Sequence, residues 1–172
     1  MTTSSHYDSI FRPGLFQGQI HVVTGGGSGI GRCVAHELAA LGATVVITGR
    51  TQEKLDKVAA EIREDGGQVD TAAFDIRDEE QVKAAVARIV STHGRIHGLV
   101  NNAGSGKWAP VDQTDDTLLD EVIDISLKAP FRFCREALAV MGPGSSIVNV
   151  GSTFGLLGGL DGGAYCAVKA GL

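Results

Sequence analysis

Apolar runs and amphipathic stretches alternate along most of this chain. Five short runs rich in valine and isoleucine predict strands, at 20–24, 44–48, 69–74, 96–100 and 146–150. Between them, apolar residues recur at three- and four-residue spacing. That spacing predicts helices over 29–41 and 52–65, from Asp78, over 114–141 and from Ala164. Pro130 falls inside the fourth of these helices and should kink or locally break it.

Strands that alternate with helices of this length predict βαβ units and a parallel sheet covered by helices on both faces. On the first helix, one face should be shared by Ile30, Val34, Leu38 and Leu41. No internal repeat or low-complexity tract interrupts the pattern. Residues 1–172 should therefore form a single α/β domain. Ligands of such sheets bind beyond the carboxyl ends of the strands.

Charge and cysteine usage narrow the choice of partner and compartment. The formal net charge of −5 argues against nucleic acid or an anionic membrane as the main partner. The three cysteines lie far apart without metal-ligand spacing, so no metal site is expected. Residues 1–9 are polar and should be loose, and residues 1–19 lack the pattern of a secretory signal. We therefore expect a cytoplasmic protein with no membrane segment.

A glycine-rich turn, Thr24-Gly-Gly-Gly-Ser-Gly-Ile-Gly31, joins the first predicted strand to the first predicted helix. In this setting the free N–H groups and the positive dipole end of the helix can receive a nucleotide pyrophosphate, and glycine lets the backbone approach it. Glycine turns are common, so this one alone is weak support. The residues expected to contact the cofactor are Gly25, Gly27, Ser28, Gly29, Ile30 and Gly31.

Two further segments end strands at the same edge of the predicted sheet. Asn101-Asn102-Ala103-Gly104 follows the fourth strand, and Ser152 follows the fifth. Tyr165 and Lys169 lie four positions apart on the last predicted helix, so their side chains share a face. An ammonium beside a phenol stabilises the phenolate, which makes proton exchange with a substrate oxygen feasible. The alternative for this pair alone is an ordinary helix with a lysine reaching solvent.

Taken together, these segments resemble the classical short-chain dehydrogenases/reductases, from Val22 to Leu172. The matching motifs occur in the family's order and spacing: Thr24-Gly-x-x-x-Gly-x-Gly31, Asp75, Asn101-Asn102-Ala103-Gly104 and Ser152-x₁₂-Tyr165-x₃-Lys169. The resemblance implies a Rossmann-type doubly wound sheet with strand order 3-2-1-4-5 and an NAD(P) cofactor. It also implies further strands and helices after Leu172, so we expect a truncated form or part of a longer product.

The resemblance assigns roles to the matching residues. It implies that Tyr165 is the general acid/base, that Ser152 anchors the substrate oxygen, and that Lys169 binds the nicotinamide ribose while tuning Tyr165. Tyr165 and Lys169 would therefore contact the cofactor as well as carry the chemistry. The remaining expected cofactor contacts border the adenine ring or support the central strand beside the cofactor, at Asp75, Ile76, Asn102, Ala103 and Gly104.

Arg50 is the residue expected to choose between the two nicotinamide cofactors. In NAD-preferring proteins of this fold, an acidic residue at the end of the second strand accepts from the ribose 2′-OH. Here that position holds Gly49, and Arg50 follows it. No carboxylate would repel a 2′-phosphate, and a guanidinium could pair with one. We therefore expect NADP(H) rather than NAD(H). The alternative is an exposed arginine at a strand end.

The leading hypothesis is an NADP(H)-dependent oxidoreductase that interconverts a ketone and a secondary alcohol, with 3-oxoacyl-thioester reduction as one possibility. Ser126 stands where the family usually has an asparagine, which should weaken a proton relay; we expect Ser126→Asn to raise or preserve turnover. The alternative is a catalytically impaired or non-catalytic nucleotide-binding or interaction module. The partners implied are a small-molecule substrate and, at full length, a second copy in a homodimer or homotetramer. Trp108 could edge the substrate pocket or simply pack.

Overall fold

A computed structural model of the chain describes Tyr7 and residues 9–172, so the expectation of a loose start over residues 1–9 falls largely outside the described residues. Strands and helices alternate as predicted. The strands are β1 (Ile20–Thr24), β2 (Thr44–Gly49), β3 (Gln68–Ala73), β4 (Ile96–Asn101) and β5 (Met141–Asn149). The α-helices are α1 (Gly29–Ala40), α2 (Gln52–Glu64), α3 (Glu79–His93), α4 (Asp116–Ile123), α5 (Ala129–Leu138) and α6 (Gly163–Gly171).

All five strands form one parallel sheet in the order β3-β2-β1-β4-β5, which confirms the predicted doubly wound topology. The chain moves outward from β1 to β3, then crosses back to β4 on the other side of β1. This reversal leaves a crevice above β1 and β4, where open α/β sheets bind their ligands. The topology therefore puts the glycine turn after β1 next to the loop after β4.

Two apolar layers cover the sheet, one on each face. Alternate residues of a strand point to opposite faces, so Val22 packs in the layer with α3 and α5, while Val23 packs in the layer with α1 and α2. Both residues are completely buried. This double burial explains why the strands read as continuous apolar runs rather than as alternating ones. No helix in the described part of the chain is long and apolar enough to cross a membrane.

Two predicted helix ends are confirmed. The Asp78 side chain accepts hydrogen bonds from the N–H groups of Glu80 and Gln81, at 3.0 and 3.1 Å, and so caps α3. Gly42 follows the end of α1 with a φ of 96°, the left-handed conformation that glycine adopts just after a helix. These local signals set where the helices begin and end.

The predicted helix over 114–141 is interrupted near Pro130, as expected. The segment divides into α4, a π-helical turn over Asp124–Lys128, and α5. Pro130 lies in the first turn of α5, and its ring would clash with the carbonyl of Ser126 in a continuous α-helix. The wider π-turn accommodates the proline, so the interruption falls before Pro130 rather than at it.

Two details were not foreseen. Ile30 shares the period of the apolar face of α1, but it is 65% exposed. It lies in the first turn of the helix, which rises past the end of the sheet toward the crevice. The fifth strand begins at Met141 instead of Ser146, because the segment with Gly144 pairs with β4 through a register shift between Ile96 and Gly98.

Candidate functional site

The glycine turn is tightly packed against the loop that follows β4. Gly25 has a φ of 67°, which disfavours any residue with a Cβ. A Cβ at Gly31 would lie 2.4 Å from the carbonyl oxygen of Gly25 and 2.5 Å from Nδ2 of Asn102. The two glycines therefore let the start of α1 lie directly against its own turn and against Asn102.

The N-terminus of α1 offers backbone donors at the crevice. Ser28 precedes the helix in an extended conformation, and its side chain makes no capping hydrogen bond. The first helical hydrogen bond links the Arg32 N–H to the Ser28 carbonyl, at 3.1 Å. The N–H groups of Gly29, Ile30 and Gly31 precede that bond, as the first donors of any α-helix do. Together with the positive dipole end, these donors suit a phosphate group.

One buried hydroxyl joins the turn after β1 to the loop after β4. Thr24 Oγ1 accepts hydrogen bonds from the N–H groups of Asn102 and Ala103, at 2.9 and 3.0 Å, and donates to the Val100 carbonyl at 3.3 Å. The Asn102 amide in turn donates to the Thr24 carbonyl, at 2.9 Å. These bonds fit the supporting role expected for Asn102, Ala103 and Gly104. This role of Thr24 could not be predicted from the sequence, because an apolar run that ends in threonine is typical of any strand.

A cavity of about 290 Å³, here called the glycine-turn cavity, opens above β1, β2 and β4. Eight predicted cofactor residues line it, namely Gly25, Gly27, Ser28, Arg50, Ile76, Asn102, Ala103 and Gly104. Phe74, Leu55 and Ile125 add apolar surface. The cavity combines backbone donors, a guanidinium and an apolar wall, which is the mixture that a nucleotide needs. Lys54 also lines it, and the sequence analysis missed this residue because a lysine in a helix is usually just solvated.

Asp75 was expected to border the adenine ring, and its carboxylate is held by Arg77. The Arg77 guanidinium donates to both carboxylate oxygens, with its Nη2 2.5 Å from Oδ2. Hydrogen bonds from Arg77 hold the pKa of Asp75 below its usual range, against a smaller opposing effect of burial, and the charge of Arg50 adds to the lowering. Asp75 thus lies within the electrostatic reach of Arg50, although it does not line the cavity.

A second cavity, of about 210 Å³, lies beside Tyr165 and is here called the Tyr165 cavity. Lys169 and Ile30 line it, and it shares Asn102 and Gly104 with the glycine-turn cavity. Lys169 Nζ lies 5.9 Å from the centre of the Tyr165 ring, so the two side chains share one face of α6 as predicted. The exposed Ile30 therefore borders the Tyr165 cavity, whereas Asn102 and Gly104 border both.

A hydrogen bond to the chain just after β5 holds the Lys169 side chain in place. Its Nζ donates a hydrogen bond to the Val150 carbonyl, at 2.7 Å. Burial lowers the pKa of Lys169 from its ordinary value. An ammonium has three donors, so this bond leaves two for groups in the Tyr165 cavity.

Ser152 begins the loop that connects β5 to α6. Its Oγ accepts a hydrogen bond from the N–H of Phe154, at 3.2 Å, and so caps a single 3₁₀ turn over Thr153–Gly155. The Phe154 ring lies 6.5 Å from the Tyr165 ring, centre to centre. Phe154 thus connects the Ser152 turn to Tyr165, although Ser152 itself does not line the Tyr165 cavity. The Ser152 hydroxyl keeps its hydrogen for another acceptor.

Ser126 lies in the π-turn and is 1% exposed. Its Oγ accepts a hydrogen bond from the Ser105 N–H, at 3.1 Å. A Cβ at Gly104 would lie 3.7 Å from Ser126 Oγ and 3.9 Å from Lys169 Nζ, so both polar groups face the same glycine. Ser126 therefore holds the loop after β4, which the sequence analysis did not foresee. The expected effect of Ser126→Asn on turnover stays a prediction.

Metal ligands were not expected, and across Tyr7 and residues 9–172 no group of three or more histidine, cysteine or acidic side chains could hold a metal ion. The three cysteines Cys33, Cys134 and Cys166 are free thiols. The polar chemistry of the two cavities thus rests on hydroxyl, ammonium, guanidinium and backbone groups.

The family profile described as short chain dehydrogenase matches residues 19–172. A 3beta-hydroxysteroid dehydrogenase of Mediterraneibacter gnavus is 40% identical over 161 residues, which cover 92% of this chain and 58% of that protein. The chain thus spans less than two thirds of this relative's length.

Solved structures agree with this match. The citronellol catabolism dehydrogenase AtuB of Pseudomonas aeruginosa PAO1 is 50% identical, with a TM-score of 0.89 over 96% of this chain and 68% of the other. A metagenomic short-chain oxidoreductase in complex with NADP is 37% identical, with a TM-score of 0.85 over 91% of this chain and 72% of the other. The chain belongs to the short chain dehydrogenase family.

Proposed function

We propose that this chain forms the cofactor-binding and proton-transferring part of an NADP(H)-dependent oxidoreductase that interconverts a ketone and a secondary alcohol. The observation that carries the proposal is the continuity of the two cavities. Asn102 and Gly104 border both, with Arg50 in one and the Tyr165–Lys169 pair in the other. A dinucleotide that fills the first cavity would therefore end beside Tyr165. The names of the relatives, all dehydrogenases or oxidoreductases, support the same class of reaction.

The proposed reduction needs one hydride and one proton. A bound nicotinamide cofactor supplies hydride transfer to the carbonyl carbon. Tyr165 gives its phenolic proton to the carbonyl oxygen, while the Ser152 hydroxyl donates a hydrogen bond to the same oxygen and holds it. In the reverse direction Tyr165 takes the proton from the alcohol.

Lys169 has two parts in this proposal. Its charge stabilises the phenolate that remains when Tyr165 has given up its proton. Its two donors not used by the Val150 carbonyl can hold the hydroxyls of a ribose in the Tyr165 cavity. The Val150 bond fixes Nζ in place, so the ammonium does not need to be ordered when the cofactor binds.

Tyr165→Phe tests the proposal directly. We expect the rate of NADPH oxidation, screened across ketones and 3-oxoacyl thioesters, to fall at least about a hundredfold, because the proton donor is lost. NADPH binding, followed by nicotinamide fluorescence, should persist. Tyr7→Phe is the matched control, because it removes the hydroxyl of the other tyrosine. That hydroxyl donates a hydrogen bond to Glu37. A non-catalytic binding module would be indifferent to both changes.

The preference for NADP(H) rests on two cations that line the glycine-turn cavity, Arg50 and Lys54. At the end of β2 stands Gly49, so no carboxylate there opposes a 2′-phosphate. The related oxidoreductase whose structure contains NADP supports the same preference. Arg50 can pair bidentately with a phosphate, and Lys54 adds a second positive charge.

Arg50→Leu should lower kcat/KM for NADPH about tenfold to a hundredfold and leave that for NADH nearly unchanged. Lys54→Ala should act in the same direction but more weakly. Lys57→Ala, an exposed lysine on the same helix that does not line the cavity, is the control. Comparable kcat/KM values for the two cofactors in the unmodified protein would reject the preference.

We also propose that the full-length protein is a cytoplasmic homodimer or homotetramer that acts on a small molecule. Phe131 and Leu138 on α5 are 70% and 61% exposed, which supports burial of this helix against a second copy. Light scattering of the protein, compared with Phe131→Glu, tests the assembly: the variant should shift toward the monomer.

A further inference from the structure

Trp108 takes part in an aromatic cluster with Tyr165 that the proposed mechanism does not use. Its ring centre lies 5.2 Å from that of Tyr165, with the planes tilted by 32°, and 5.0 Å from that of Phe154 in an edge-to-face arrangement. Both distances fall in the favourable range for aromatic pairs. The indole is still 42% exposed. Trp108 therefore holds a defined position beside Tyr165 while part of its surface stays open.

The chain provides a specific seat for this large ring. A Cβ at Gly162 would lie 2.3 Å from Cζ3 of Trp108, and a Cβ at Gly159 would lie 3.3 Å from the same atom. A bridge between Ala109 and Gly162 ties the two loops together. Two positions of the loop thus lack side chains where the indole needs the space. Incidental packing of an exposed tryptophan would not need such a seat.

The surface around Trp108 is apolar. The loop over residues 153–163 holds one ionisable side chain, Asp161. Its three leucines, Leu156, Leu157 and Leu160, are 89%, 67% and 90% exposed. Lys107, the charged neighbour of Trp108, is engaged in an ion pair with Glu121. Lys107 therefore offers no unpaired charge to a phosphorylated or carboxylated substrate, whereas a hydrocarbon would lose little by leaving water here.

We propose that Trp108 is the apolar wall of the substrate site and selects carbonyl compounds with an extended hydrocarbon body beside the reacting group. The inference rests on the proposed function, because it takes Tyr165 as the point where the carbonyl oxygen lies. Substrate contact on the open part of the indole would then add affinity in proportion to the methylenes that it covers.

The chain offers an unusually direct probe, because Trp108 is its single tryptophan. Titration of the protein loaded with NADP⁺, which has no hydride to transfer, with the methyl ketones 2-butanone, 2-hexanone, 2-octanone and 2-decanone should change the tryptophan emission for the longer members. The dissociation constant should fall roughly fourfold for each methylene that reaches the wall. This binding measurement does not need turnover.

Variants separate recognition from folding. Trp108→Ser should raise KM for 2-decanone at least about tenfold, and change KM for 2-butanone less than about twofold, with kcat for both nearly constant. Trp108→Phe should restore most of the 2-decanone KM, since an aromatic face returns to the seat. Phe11→Ser removes an exposed aromatic ring that lines neither cavity and should leave both KM values unchanged.

The outcomes distinguish this inference from the proposed function. Turnover of ketones with dissociation constants independent of chain length, or with emission unchanged by 2-decanone, would overturn the apolar wall and leave the oxidoreductase standing. Chain-length-dependent emission without turnover would support the wall and contradict the reductase. If 2-decanone changes neither the tryptophan emission nor the rate of NADPH oxidation, both the apolar wall and the proposed reductase activity are contradicted.

Discussion

The two cavities are built in different ways. Around the glycine-turn cavity, the backbone is tightly packed, and the buried Thr24 hydroxyl bonds to the loop after β4 at two points and to β4 itself at one. Around Tyr165, the contacts are mostly between side chains: an aromatic cluster, and one hydrogen bond from Lys169 to the sheet. The first region tolerates little change in shape, whereas the second can adjust.

This difference matches the demands on each region. Every dinucleotide presents the same phosphates, so a fixed backbone cradle serves any cofactor of the class. Substrates differ in shape, and a wall of rotatable side chains can be altered without disturbing the sheet. We infer that substitutions in the first region act mainly on stability and cofactor binding, and those in the second on substrate choice.

Gly31→Ala should be the most damaging substitution. Gly31 has ordinary helical backbone angles, but its new Cβ would meet the Gly25 carbonyl oxygen at 2.4 Å, and a backbone atom cannot swing away. We expect a loss of about 3 kcal/mol or more in the free energy of unfolding, and a loss of NADPH binding. Urea denaturation and cofactor titration measure the two effects. Gly106→Ala, where no atom lies within 4 Å of the added Cβ, is the control.

Thr24→Val keeps the shape of the side chain and removes its hydroxyl. The N–H groups of Asn102 and Ala103 would lose their acceptor, and each unpaired buried donor costs about 1–3 kcal/mol. We expect a total loss of about 2–3 kcal/mol by urea denaturation. Thr44→Val, which removes a hydroxyl bonded to Gln68 at the surface, should cost less than about 0.5 kcal/mol. Equal losses in the free energy of unfolding for Thr24→Val and Thr44→Val would contradict the role of the Thr24 hydroxyl in holding the loop after β4.

Acid should destabilise the fold through His21, which is buried in β1. Burial, assisted by the nearby His97, lowers the pKa of His21 to about 4, whereas an unfolded histidine titrates near pH 6.5. Between those values the unfolded chain binds a proton that the native chain does not. His21 therefore contributes stability that is complete above about pH 6.5 and lost as the pH falls. We expect a loss of about 2 kcal/mol between pH 7 and pH 5.

The measurement for His21 is urea denaturation at several pH values. His21→Leu removes the titrating group, so its free energy of unfolding should fall by about 2 kcal/mol less over the same interval. A variant that keeps the full acid sensitivity of the unmodified protein would show that other groups cause it. The comparison uses only the change in the free energy of unfolding between pH 7 and pH 5, so a lower stability of His21→Leu at pH 7 does not affect it.

Gly162→Ala should be mild although its clash looks as severe as that at Gly31. Gly162 has a φ of −116°, which alanine accepts, and its Cβ would meet the Trp108 ring at 2.3 Å. The partly exposed indole can rotate outward, so we expect a loss of about 1 kcal/mol. The emission of Trp108 should shift to longer wavelength. A stability loss equal to that of Gly31→Ala would remove the distinction between the two regions.

The sequence predicted the backbone of the fold well because its signals there are local. Apolar runs, the glycine turn and the Asp78 cap each depend on a few neighbouring residues, and the strand order followed from motifs in family order. The same holds for the lining of the glycine-turn cavity, where eight of the predicted cofactor residues meet.

What the sequence did not predict depends on contacts between distant segments. Thr24 bonds to residues almost eighty positions away, and Ser126 to Ser105. Ile30 fits the period of α1, yet it faces the crevice because the sheet ends below it. The π-turn has no sequence pattern of its own; Pro130 indicated a break, but only packing decides how the chain makes it.

The π-turn over Asp124–Lys128 also sets the alignment of two helices. Such a turn holds one residue more than an α-helix would need, and one residue corresponds to a rotation of about 100°. Val122 before the turn and Phe133 after it are both completely buried. Winding the same residues as a regular α-helix would rotate one end relative to the other by about that angle, and it would turn one of these side chains toward water. The segment thus departs from regular helical winding, and as a result the residues before and after the π-turn both pack in the core.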